Sequence, residues 1–104
     1  DATIYIAEAA GNPVGQIRFD IEGPAGVVDV SVDSEERGQG YGTKLIKEGT
    51  QRFLWESGAN NVVAYVKVSN KPSRRAFEKA GYNLEDKKKV KGEMSFVLRK
   101  YLNA

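Results

Sequence analysis

Val27 to Gly42 reads VVDVSVDSEERGQGYG, and its two halves ask for different structures. In the first half Val28, Val30 and Val32 alternate with Asp29, Ser31 and Asp33, the pattern of a strand with one apolar and one polar face. The second half, Arg37-Gly38-Gln39-Gly40-Tyr41-Gly42, is glycine-rich and opens a different periodicity. Tyr41, Leu45, Ile46, Gly49, Phe53 and Leu54 recur at three- and four-residue spacing, with Lys44, Lys47, Glu48, Gln51 and Arg52 elsewhere. That is an amphipathic helix, and Gly58 is its natural stop. A helix start carries unpaired N–H donors and the positive end of the helix dipole. Glycines let a backbone come close to an anion there. Two readings of the loop stand at this point: a seat for a diphosphate, or a tight turn that binds nothing.

Upstream, Thr3–Ala9 and Val14–Ile21 read as strands around the turn signal Gly11-Asn12-Pro13, and Gly23-Pro24-Ala25-Gly26 turns into the third strand. Downstream, Asn61–Val68 is a strand rich in valine. Asn70-Lys71-Pro72-Ser73 has the cap and early proline of a helix start, with Ala76, Phe77 and Ala80 inward and Gly81 as the end. Tyr82–Val90 and Glu93–Tyr101 form a closing hairpin turning near Lys91-Gly92. The order is β-β-β-α-β-α-β-β. Three strands in succession before the first helix point to an α+β fold with a mostly antiparallel, mixed sheet and two helices.

The 104 residues make one domain by the usual length prior, with 40% hydrophobic and 29% charged residues. There is neither cysteine nor histidine, which removes thiolate catalysis, disulfides, a Ser-His-Asp triad and a histidine-based zinc site from this chain. No apolar run is long enough to span a bilayer, and no signal peptide is present, so a cytoplasmic location without membrane contact is expected. Lys87-Lys88-Lys89 with Lys91 reads first as a solvated hairpin. Nucleic acid is the weaker alternative, because no aromatics interleave with the run.

Three diphosphate ligands can be separated. A nucleoside triphosphate calls for G-x-x-x-x-G-K followed by Ser or Thr, and Lys44 stands at the wrong spacing. A dinucleotide calls for G-x-G-x-x-G and an acid ending the next strand, whereas Gly38, Gly40 and Gly42 give G-x-G-x-G and the next strand ends at Val68-Ser69. Coenzyme A is left.

Arg37-x-x-Gly40-x-Gly42 resembles the Gln/Arg-x-x-Gly-x-Gly/Ala signature of the GNAT superfamily of N-acetyltransferases. Asn70-x-x-Ser73-x-x-x-Phe77-x-Lys79-x-Gly81-Tyr82 resembles a second segment of that family, in the expected register. The resemblance covers essentially the whole chain and implies a truncated GNAT fold that uses acetyl-CoA. It implies that the backbone of Val30, Ser31 and Val32 meets the pantetheine arm. It implies too that Arg37, Gly38, Gln39, Gly40, Tyr41 and Gly42 hold the pyrophosphate, with help from Thr43, and that Asn70 and Ser73 stand near the cofactor. The stretches Ile4–Glu8 and Pro13–Phe19 look most like members acting on amino sugars or nucleotide sugars; a protein N-terminus or another small amine is the further option.

The chain also departs from the family. Phe77 stands where many members have a tyrosine that protonates the leaving thiolate. The strand and two helices that precede Thr3 in the family are missing, and with the start at Asp1 this reads as the cofactor-binding portion of a longer protein, 1–104 being one domain. Acetyl transfer to a small-molecule amine, without a metal, is the leading reading, with a non-catalytic acyl-CoA-binding or regulatory module as the alternative. Asp29 and Tyr65 are the candidates for catalytic proton handling, each equally readable as a solvated or structural residue. An exposed sheet edge where the first strand is missing offers a route to a homodimer.

Overall fold

The structure, a computed structural model, describes residues 2–32 and 40–102. Its elements are β1 (Ala2–Ala9), β2 (Asn12–Glu22), β3 (Ala25–Val32), α1 (Tyr41–Ser57), β4 (Asn61–Lys67), α2 (Lys71–Lys79), β5 (Asn83–Val90) and β6 (Glu93–Tyr101). The strands form one sheet in the order β1-β2-β3-β4-β6-β5. β3 and β4 pair in parallel, and every other neighbouring pair is antiparallel. The expected order and the mixed sheet are both present.

The first hairpin turns earlier than Gly11-Asn12-Pro13 suggests. Ala10 and Gly11 take the two left-handed positions, with φ of 52° and 81°, as a two-residue hairpin turn requires. Asn12 is already back in the ladder opposite Ala9. Pro13 sits opposite Glu8 beside a register shift, where a missing N–H is tolerated. Lys91 and Gly92 repeat the same turn at the second hairpin. β5 starts at Asn83, one residue later than expected, and Tyr82 is buried against Phe77 and Thr50 of the helices.

One face of the sheet carries the core. Ile17 and Phe19 of β2, Val28 of β3, Val62, Ala64 and Val66 of β4 and Leu98 of β6 meet Leu45, Ile46, Phe53 and Leu54 of α1 and Phe77 of α2. Phe53 stacks on Phe19 with ring centroids 4.3 Å apart and planes 5° from parallel. Gly49 lets α1 settle on β2, since a Cβ there would stand 2.8 Å from the Ile17 Cγ2. The alternation that buries this set turns Asp29, Ser31, Gln16 and Arg18 to the other face of the sheet, where they are exposed. Among the described residues β1 is an edge strand, with Ile4 and Ile6 exposed, and the outer strand β5 carries Lys87, Lys88 and Lys89, which discourage strand addition at that edge.

Tyr82 packs edge-on against Phe77 and shares a 2.7 Å hydrogen bond with the Thr50 hydroxyl. Burial pushes the Tyr82 phenol well above its usual range, against a smaller downward pull from the Thr50 bond. The folded state therefore keeps a proton that the unfolded chain releases near pH 10. Stability from this group is complete below pH 10 and falls above it, by about 1.4 kcal/mol per pH unit. Denaturant titrations at pH 9, 10 and 11 should show the loss in the parent. Tyr82→Phe should flatten that slope.

Candidate functional site

The parallel ladder between β3 and β4 is short. It runs from Ala25↔Asn61 to Val28↔Ala64 and stops. β3 stays on β2 as far as Val32, which pairs with Gly15, and β4 stays on β6 as far as Lys67, which pairs with Ser95. The two central strands thus part company at Asp29 and Tyr65, and a split opens in the middle of the sheet. Along each wall alternate residues aim N–H and C=O groups into the gap. Such groups in the interior of a sheet need partners. An extended ligand with amide groups of its own would serve as a surrogate strand between Asp29–Val32 and Tyr65–Lys67.

α1 begins at the mouth of this split. Gly40 precedes it in a left-handed conformation, φ 82°, and accepts the first helical bond from Lys44 N–H at 3.1 Å. The N–H groups of Tyr41, Gly42 and Thr43 therefore have no partner within the helix. No side chain caps this end among the described residues, and the first turn holds no acid. Gly42 lies beside Val32, whose Cγ2 would be 3.7 Å from a Cβ at that position, so the bare helix end sits against the last residue of β3. A helix start of this kind favours an anion near its N–H groups. Arg37, Gly38 and Gln39, the rest of the glycine loop, lie outside the described residues, as does Asp33.

α2 begins on the other side of the split. Asn70 N–H donates to the Lys67 carbonyl at 2.8 Å, turning the chain directly out of β4. Asn70 Oδ1 caps the helix by accepting from Ser73 N–H at 3.2 Å. The helix-cap role of Asn70 is thus present, and it places both Asn70 and Ser73 where β4 ends. Val30, Ser31, Val32, Gly40, Tyr41, Gly42, Thr43, Asn70 and Ser73 all gather at the carboxyl ends of the two diverging parallel strands. Ligands of open sheets bind at that end. Val30 and Val32 turn their side chains to the helix side, so only their backbone faces the gap.

Asp29 and Tyr65 occupy matching places, each one residue past the last pair and on the face away from the helices. Phe77 is buried in the core against Tyr82 and has no proton to give. The Tyr82 hydroxyl is bound to Thr50 on α1 and holds its proton, so it does not replace the absent phenol. Composition alone did not reveal the cations near the split. Arg74 lies 4.2 Å over the Phe96 ring and Lys87 5.9 Å, while Lys88 lies 5.8 Å over Tyr65. The alternation of the Lys87–Lys89 run is the signal that separates them. Among the described residues no group of three His, Cys, Asp or Glu side chains could hold a metal ion, and no helix is long and apolar enough to cross a membrane.

A model of the acetyltransferase (GNAT) family matches residues 1–82, and the chain belongs to that family. An uncharacterized N-acetyltransferase of Methanocaldococcus jannaschii is 34% identical over 79 residues, covering 75% of this chain and 51% of that protein. The mycothiol acetyltransferase of Corynebacterium aurimucosum is 35% identical over 57 residues, covering 55% of this chain and 18% of that protein. The crystal structure of an aminoglycoside acetyltransferase in complex with coenzyme A superposes with a TM-score of 0.85 at 18% identity, over 96% of this chain and 66% of that one. That likeness is one of fold, and the fold is the GNAT fold. The chain spans about half the length of the first of these relatives and less of the second.

Proposed function

We propose that this chain is the cofactor-holding part of an acetyl-CoA-dependent N-acetyltransferase that acts on a small-molecule amine. The observation that carries the proposal is the split between β3 and β4 with the start of α1, which no described side chain caps, at its mouth. Those features fit coenzyme A part by part. The amides of the pantetheine arm match the unpaired strand edges at Val30–Val32, and the diphosphate matches the N–H groups of Tyr41, Gly42 and Thr43, with Arg37, Gly38 and Gln39 completing the loop. Family membership and a neighbour solved with coenzyme A support the same ligand.

Bound there, acetyl-CoA supplies an activated acetyl thioester. This chain's own residues then have three tasks. A backbone N–H around Val32 donates a hydrogen bond to an oxygen in the split. Asp29, through a water, takes the proton that an ammonium must lose before it can act as a nucleophile. Tyr65 forms the opposite wall and orients the amine. An amino sugar or nucleotide sugar is the acceptor this reading favours, before a protein N-terminus. A cytoplasmic location belongs to the same proposal, and the edge strand β1 with Ile4 and Ile6 supports a homodimer.

Thermal unfolding with and without acetyl-CoA tests the cofactor site. At ~100 times its dissociation constant the ligand adds roughly 2.7 kcal/mol, a rise on the order of 10 °C for a domain this size. An unchanged melting temperature in a folded chain counts against the site. Stabilisation without acetyl transfer to any amine would favour the second reading, a non-catalytic acyl-CoA-binding module, which the buried Phe77 motivates.

A further inference from the structure

We infer that the groove between the second half of α1 and the end of β6 is a docking site for an acidic polypeptide segment that carries an aromatic or aliphatic side chain. The groove has a volume of about 590 Å³. Leu54, Ala80 and Leu102 give it apolar lining, and Lys47, Lys100 and Trp55 complete its walls. The wall made by β6 ends where Tyr101 pairs with Asn61 and Leu102 N–H donates to the Asn60 carbonyl at 2.8 Å. Asn61 starts β4, so the groove lies at the amino end of the parallel strands, away from the split, and stands whether or not acetyl-CoA binds. Trp55 is the single tryptophan of the chain and is 84% exposed, although tryptophan is among the more buried residue types on average. Leu102 beside the same groove is 44% exposed. Apolar surface left in water in this way marks interaction sites, and tryptophan is prominent among the residues that anchor protein interfaces.

The charges of the groove set the sign of the partner. Glu48 is tied to Lys44 at 4.0 Å, and Arg52 to Glu56 at 3.2 Å. Lys47 and Lys100 have no carboxylate within ion-pair distance among the described residues. Lys100 alternates with the core residue Leu98, so it faces the helices, and it is half-buried. Its ammonium fits beside Gly81, where a Cβ would stand 3.3 Å from Nζ. A half-buried ammonium has lost part of its water, and a carboxylate arriving from outside offsets that loss. Two lysines are few for a membrane surface or a nucleic acid, which are gripped by clusters of cations. A second copy related by a two-fold axis would bring the same patch onto itself, lysines toward lysines. A small anion would leave most of the Trp55 ring bare, because the ring stands out at the rim. A polypeptide lying along the groove covers the ring, sets an apolar side chain on Leu54, Ala80 and Leu102, and brings carboxylates to Lys47 and Lys100.

The test titrates the chain with the blocked peptide Glu-Asp-Phe-Glu-Leu-Asp-Glu and follows the fluorescence of Trp55, whose signal no other indole of the chain overlaps. The emission is expected to move to the blue and saturate as the peptide covers the ring. The same peptide with Gln and Asn for its acids should need about tenfold higher concentration, and so should one with Ser for Phe and Leu. Lys47→Met with Lys100→Met, which keeps the apolar stems, should bring the acidic and amide peptides within about twofold. Lys47 is exposed, so Lys47→Met alone is the folded check, and it should narrow the difference by about threefold. Lys89→Met, on the outer strand β5, should leave the difference intact. Trp55→Ala, followed by the anisotropy of labelled peptide, should weaken binding by about tenfold at an unchanged melting temperature. No shift with the acidic peptide, equal half-saturation of the three peptides, a difference that survives both lysine variants or is lost with Lys89→Met, or binding indifferent to Trp55→Ala would overturn the inference. So would tighter binding of phosphatidylserine vesicles, of a thymidine oligonucleotide or of 3-phenylpropionate alone. A blue shift that grows with protein concentration without peptide would also overturn it, making the groove a contact between copies.

Discussion

Phe53→Ala is expected to remove about 3–5 kcal/mol of folding stability. Phe53 is fully buried, lies flat on Phe19 and occupies the space that Gly26, lacking a side chain, leaves open above β3. Truncation would therefore open a cavity under the ladder between β2 and β3. That ladder is continuous from Gly15↔Val32 to Glu22↔Ala25, which restrains the strands from closing on the void. A domain of this length has roughly 5–15 kcal/mol in total, so the loss takes a large share of its stability. Urea unfolding should show a large fall in midpoint with little change in slope. A loss below about 1.5 kcal/mol would mean that Phe19 swings into the space and the site collapses after all.

The reason this core was legible in the sequence, while the split beside it was not, lies in what each kind of pattern reports. Alternation at Val28, Val30 and Val32, and the spacing of Leu45, Ile46, Phe53 and Leu54, report which way side chains point. They found the faces that meet, though not Thr50, which is buried in a hydrogen bond with Tyr82, a residue distant in sequence. The split is a property of backbone pairing. Nothing in the side-chain pattern of Asp29–Val32 or Tyr65–Lys67 shows that these segments stop pairing with each other while each keeps its outer neighbour. Motif spacing located Gly40–Thr43 and Asn70–Ser73, and the fold then set both groups at the ends of the diverging strands. The lysine run on β5 was visible only as charge. Register assigned Lys87 to the Phe96 ring on one face and Lys88 to Tyr65 on the other, and so tied part of that charge to the split.

Gly42→Glu should leave the fold intact and abolish the proposed acetyl-CoA binding. Gly42 is not among the glycines with positive φ, and a Cβ there makes ordinary van der Waals contact with Val32. Glutamate is a better helix former than glycine by roughly 0.5–1 kcal/mol, and a negative charge in the first turn suits the helix dipole. The unliganded melting temperature should therefore hold or rise. The same carboxylate would stand among the N–H groups of Tyr41, Gly42 and Thr43, where the proposed diphosphate lies, satisfying the donors and repelling the phosphates. Like charges about 4 Å apart near a surface oppose each other by up to about 4 kcal/mol, so the affinity should fall at least about 100-fold. Gly42→Ala, equal in backbone effect and uncharged, should keep most of the affinity. Gly40 is a poorer place for the test, because its φ of 82° strains any side chain and would confuse lost binding with lost structure. Melting curves of Gly42→Glu and Gly42→Ala with and without acetyl-CoA decide the matter. A ligand-induced rise that disappears only in the glutamate variant places the phosphates on the start of α1, and a rise that survives in both puts them somewhere else.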